Sequence, residues 1–120
     1  MKVLRRDDTP EEPASNPIFE GAVMGRALVT EGAQVTVRLV RFLDGARNVL
    51  HVHSADQVLY ITEGHGIVAT REEEHLVKSG DVAHIPAGEP HWHGAQPGRD
   101  MAHLSILPPA ETRIVDGSGQ

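Results

Sequence analysis

Two histidine pairs dominate the chemistry open to this chain: His51-Val52-His53 and, forty residues later, His91-Trp92-His93. On a β-strand, residues i and i+2 face the same way, so each pair sets two imidazoles side by side. Gln57 opens a second apolar run in which Leu59 and Ile61 share its face. Two such strands meeting in a barrel would bring His51, His53, Gln57 and His91 to one point. Three imidazole nitrogens and an amide oxygen suit a divalent Mn, Fe, Co, Ni or Zn ion. All four donors are neutral, so the ion would keep its full charge and act as a strong Lewis acid.

The elements that must position these residues are short strands. Apolar runs are cut every eight to twelve residues by Gly, Asp and Pro, the spacing of a sandwich or barrel. Val35 to Leu43 is β-branched and nearly alternating, and Asp44-Gly45 is expected to stop it. Val49–His53 is short. Gln57–Thr62 is expected to close in a turn at Glu63-Gly64-His65-Gly66, because Gly tolerates positive φ. Ile67 to Arg71, His75 to Val77, Val82 to Ile85, His91 to Ala95 and Met101 to Leu107 complete the set. No segment keeps a 3.6-residue apolar period over three turns. The reading is all-β and single-domain: an extended arm over residues 1–17, a barrel over 18–107 and a tail over 108–120.

Composition narrows the function. The chain has 120 residues, 11 basic and 17 acidic side chains and a formal charge of −6. That balance argues against nucleic-acid binding and against docking on anionic lipid. No apolar run approaches the ~18 residues of a membrane span, and a cytoplasmic location is expected. Without cysteine there is no disulfide, thiolate metal site or cysteine nucleophile. All eight histidines lie between His51 and His103; His65, His75 and His84 fall in or near turns and are expected at the surface.

The motifs resemble a known family. Gly45-x5-His51-x-His53-x3-Gln57-x6-Gly64 is similar to the first cupin motif, with Gln where Glu is usual. Gly80-x5-Pro86-x-Gly88-x2-His91 is similar to the second, with Ala95 at the position of its usual Asn. A narrower likeness rests on Phe19-Glu20-Gly21, His91-Trp-His-Gly-Ala95 and Met101-Ala-His-Leu-Ser-Ile106. It resembles the single-domain branch that includes carboxymuconolactone-decarboxylase-associated cupins and manganese hydroxynitrile lyases. The resemblance implies a double-stranded β-helix, or jelly-roll barrel, and a homodimer with N-terminal strands at the interface. It implies one divalent metal per chain, Mn or Fe first, held by His51, His53, Gln57 and His91. His93 and His103 are implied as acid–base groups facing the metal cavity; buried neutral histidines satisfied by backbone carbonyls would fit the same positions.

Two positions depart from the lyase pattern. Arg38 stands where a small residue is usual and Leu107 where Gln is usual. Aligned with the lyase pattern, Arg38 and with it Val40 face inward as candidate substrate contacts; the competing phase turns Val35, Val37 and Leu39 inward instead. An inward arginine favours a carboxylate or phosphate ligand over a neutral cyanohydrin. The expected function is a metal-dependent enzyme on a small polar or carboxylate-bearing molecule, by lyase, isomerase or dioxygenase chemistry. The alternatives are a ligand-binding or sensing module with a structural metal and, last, a sugar-binding barrel without metal.

Overall fold

The computed structural model describes residues 1–32 and 34–115; residues 116–120, part of the expected tail, lie outside the described residues. The described chain is all-β, in ten strands: β1 (Glu12–Pro13), β2 (Phe19–Val29), β3 (Thr36–Asn48), β4 (His51–His53), β5 (Gln57–Ala69), β6 (Glu74–Lys78), β7 (Val82–Ile85), β8 (Trp92–Ala95), β9 (Met101–Leu107) and β10 (Thr112–Ile114). The expected double-stranded β-helix is the architecture found.

Two 13-residue strands organise it. β3 lies along β2 on one side; on the other it pairs first with β9 and then, at Arg47–Gly94, with β8. β5 repeats the scheme, with β7 then β6 on one side and β9 then β8 on the other. Each long strand therefore serves two parts of the barrel and must bend between them. These bends fall where the sequence suggested breaks. Asp44 and Gly45 have φ of 48° and 75°, and β3 runs through them to Asn48 instead of stopping. Gly64, at φ 79°, follows a register shift in β5 between Ile61 and Glu63. The expected Glu63–Gly66 turn is thus a bulge, and the hairpin bend comes later, at Thr70–Glu73, where Thr70 N–H donates to Glu73 O. Glycine supplies positive φ in a bulge as readily as in a turn, and continued pairing beyond it decides between them.

The bulge in β5 also switches the inward phase. Gln57, Leu59 and Ile61 are buried before it, Gly66 and Val68 after it. In β3 the buried positions are all even, Val40, Phe42, Ala46 and Asn48, while Thr36 is half-buried and Arg38 and Asp44 are exposed. The core is mainly aliphatic: Val23, Val40, Phe42, Ala46, Ile61, Ala95 and Met101 form one cluster, and Leu59, Val68 and Ile85 another.

Short strands near both ends of the described residues pair with other strands. Glu12 and Pro13 pair with Gly25 and Met24, and Glu11 meets the Arg41 guanidinium at 2.9 Å. Beyond the barrel strands, β10 pairs in register with β4, setting Thr112 against His53 and Ile114 against His51.

Candidate metal centre

His51 and His91 are locked together by the backbone. Each N–H donates to the other's carbonyl, at 2.9 and 3.0 Å, and this isolated antiparallel bridge joins the two His-x-His segments. Alternation then turns His53 and His93 to the same side, while Val52 and Trp92 face away, with the Arg47 guanidinium stacked 3.6 Å above the Trp92 ring. Gln57 comes from the start of β5. His51, His53, Gln57, His91, His93 and His103 are all buried.

Their free nitrogens are assigned by their partners. A carbonyl oxygen only accepts, so the His51 Nδ1–H donates to Val49 O at 2.6 Å and the His91 Nδ1–H to Glu89 O at 2.8 Å. In a neutral ring the other nitrogen then carries a lone pair. His53 Nδ1 meets Thr112 Oγ1 at 2.8 Å, and its Nε2 is buried with no hydrogen-bond partner among the described residues. Gln57 Nε2 donates to Ser105 Oγ at 2.8 Å, which turns Oε1 inward to 3.2 Å from His91 Nε2. Two lone-pair atoms thus face each other beside an orphaned imidazole nitrogen. A cation accepting all of these lone pairs fits the donor set, and the anchored Nδ1 atoms are the outer contacts that orient histidine ligands.

Metal-competent nitrogens of His51, His91 and His93 lie within 4.8 Å of one another. By ring centroids His53 lies nearer to His51 and His91, at 4.9 and 5.3 Å, against 5.8 and 5.7 Å for His93. The structure therefore brings a fourth imidazole, His93, within reach of the same centre.

The electrostatics keep the site in its ligating form. Burial pushes His51, His53 and His91 down to about 4, and each also feels a neighbouring imidazole: His91, His51 and His53 respectively. Burial, then His103, holds His93 well below the usual histidine range, and burial takes His103 to about 4. Neutral imidazole is the form that binds metal.

Behind the expected ligands lies a second contact. His103 Nε2 is 3.0 Å from His93 Nδ1, and His103 Nδ1 is buried without a partner among the described residues. Phe42 packs on both rings, at 5.9 and 5.5 Å between centroids. Asn48, absent from the residues singled out by sequence, is 1% exposed; its Oδ1 accepts the His93 backbone N–H at 2.8 Å and its Nδ2 lies 3.3 Å from the ring. Inward parity along β3 was the available signal for it. Ser105 shares the His103 face of its strand by the same parity, whereas Thr112 carried no such signal, because it acts through a partner on a distant strand.

A cavity of about 520 Å³ opens onto this cluster, within the range of small-molecule sites. Its wall includes Arg38 and Val40 from β3, which resolves the two phases in favour of the even positions. His65, His75 and His84 are exposed; His84 pairs with Asp56 at 2.9 Å.

Comparison with known proteins agrees with this geometry. The family described as Cupin domain matches residues 38–107. The chain belongs to the cupin family. This cupin is 40% identical over 105 residues to (R)-mandelonitrile lyase of Granulicella tundricola, a match covering 84% of this chain and 72% of that protein. It is 35% identical over 61 residues to acireductone dioxygenase of Gluconobacter oxydans, covering 48% of this chain and 32% of that one. Among solved structures, a cupin-like protein of Thermotoga maritima superposes with a TM-score of 0.79 at 31% identity, covering 99% of this chain and 94% of that one.

Proposed function

We propose that this cupin is a divalent-metal-dependent enzyme acting on a small polar or carboxylate-bearing molecule. His51, His53, Gln57 and His91 would hold the ion, Mn or Fe first among the candidates. The observation that carries the reading is the buried His53 Nε2, without a hydrogen-bond partner among the described residues, beside the inward lone pairs of His51, His91 and Gln57, with His51, His53 and Gln57 lining an open cavity. When bound, the ion supplies Lewis-acid polarisation of a substrate oxygen. A purely structural site would be closed; here the cavity leaves room for a second molecule.

The proton chemistry falls to His93 and His103. His93 lines the cavity as a neutral base and shares a 3.0 Å contact with His103. In the lyase version a substrate hydroxyl loses its proton to His93. The adjacent carbon bond then breaks, its electron pair leaves with the departing group, and the imidazolium returns the proton to that group. Phe42 excludes water from the pair, and Asn48 holds the His93 backbone. Longer coverage by the lyase relative favours this version over dioxygenase chemistry. A homodimer belongs to the same proposal and is read by sedimentation velocity.

The test is metal content of untagged protein purified without added metal, beside His51→Ala. One Mn or Fe per chain, lost in the variant, supports the reading; retention in His51→Ala, or a wild type that takes up no metal on titration, overturns it. Cleavage of (R)-mandelonitrile and of hydroxy acids, measured against oxygen consumption, then separates lyase from dioxygenase.

A further inference from the structure

The cavity wall is chemically one-sided. Among the described residues that line it, none is Asp or Glu, and Arg38 is the sole formal charge. This is unusual for a chain of net charge −6. The Arg38 guanidinium has no hydrogen bond or ion pair among the described residues, whereas Arg41, on the opposite face of the same strand, is held by Glu11 and Glu63 at 2.9 and 2.7 Å.

Register supplies a second group. β3 and β9 pair Val40 with His103 and, one inward step further, Arg38 with Ser105. Ser105 is buried and its Oγ accepts from Gln57 Nε2. A hydroxyl has one proton besides its lone pairs, and the proton of Ser105 has no acceptor among the described residues. Arg38 and Ser105 are thus neighbouring donors on one wall, one strand repeat of roughly 7 Å along β9 from His103.

We propose that Arg38 and Ser105 form a carboxylate subsite, so that the substrate is a short organic acid. Its carboxylate lies on the guanidinium and the serine hydroxyl, and its reacting oxygen lies toward His93 and the imidazole cluster. One guanidinium with one hydroxyl matches the two oxygens of a carboxylate and its single charge; a phosphoryl group would leave a third oxygen and a further charge unmatched. Ser105 also fixes which end of the Gln57 amide faces inward, so substrate recognition and the donor set meet in one side chain. The proposal rests on the reading above for the reaction, but the subsite itself does not require metal.

The experiment follows amide shifts of the full-length, EDTA-treated protein titrated with propionate, propionamide and inorganic phosphate, for wild type and Arg38→Gln. Propionate is expected to give saturable shifts around the cavity, with a dissociation constant raised about tenfold by loss of the charge-assisted contact in R38Q. Propionamide is expected to bind far more weakly, and phosphate more weakly than propionate. Unchanged propionate affinity in R38Q overturns the subsite, as does equal binding of propionamide or the absence of saturable propionate shifts in wild type. Tighter binding of phosphate overturns the carboxylate assignment. Mn²⁺ uptake, measured separately, keeps the two readings apart. Propionate binding without Mn²⁺ uptake supports the subsite and removes the metal reading; uptake without propionate binding removes the subsite alone.

Discussion

Acidifying the metal-free protein should unfold it through its buried histidine cluster. His51, His91 and His103 are each about 1% exposed or less and are pushed from 6.5 to about 4. The unfolded chain therefore binds more protons than the folded one between these values, and stability falls as pH drops from 6.5 toward 4. At pH 5 an imidazole of pKa 6.5 is about 97% protonated and one of pKa 4 about 9%, a difference of about 0.9 proton each. Three such rings give a slope of about 4 kcal/mol per pH unit there, and a loss of about 6 kcal/mol between pH 7 and pH 5. That rivals the whole stability of a typical domain, about 5–15 kcal/mol. The assay is urea unfolding in EDTA, followed by Trp92 fluorescence at pH 7, 6, 5.5 and 5. A midpoint constant over that range would refute the reasoning, since three enclosed neutral imidazoles cannot be silent there. Repeating the series in Mn²⁺ at about 100 times its dissociation constant should add about 3 kcal/mol at pH 7 and progressively less toward pH 5, as protons compete for the nitrogens.

Other substitutions probe separate parts of the site. Thr112→Val removes the partner of His53 Nδ1 and should weaken divalent-metal binding about 10- to 100-fold; equal affinity by calorimetry would show that β10 does not support the ligand. His93→Ala should retain metal while turnover of an identified substrate falls about 10²- to 10⁴-fold. Metal lost from that variant as completely as from His51→Ala would make His93 a ligand instead. Gly94→Ala would set a Cβ 2.5 Å from Arg47 Cα, where β8 crosses β3. The resulting overpacking should cost about 1–3 kcal/mol, and an unchanged melting temperature would contradict that close approach.

Strand periodicity alone put His51 with His53 and His91 with His93 on common faces, because alternation is a local property of extended backbone. The same rule placed Gln57 with Leu59 and Ile61, and the even positions of β3 with Arg38 and Val40. Parity held through Asp44-Gly45 but reversed at the bulge before Gly64. Whether a positive-φ glycine ends a strand or bends it depends on the pairing beyond it, with β2 and β8 for β3 and with β6 and β8 for β5, which local sequence does not encode.

Tertiary structure decided the rest of the site. Thr112 reaches His53 only because β10 pairs with β4, and Ser105 reaches Gln57 only because β9 lies between β3 and β5. Asn48 bears on His93 through the crossing of β3 and β8. The ligand types and their faces were therefore legible as residue spacing. Which nitrogen each ring keeps free, which way the amide turns and how far each imidazole is driven from protonation follow from partners and burial. Those come from contacts between residues distant in sequence, and the closed barrel alone brings them together.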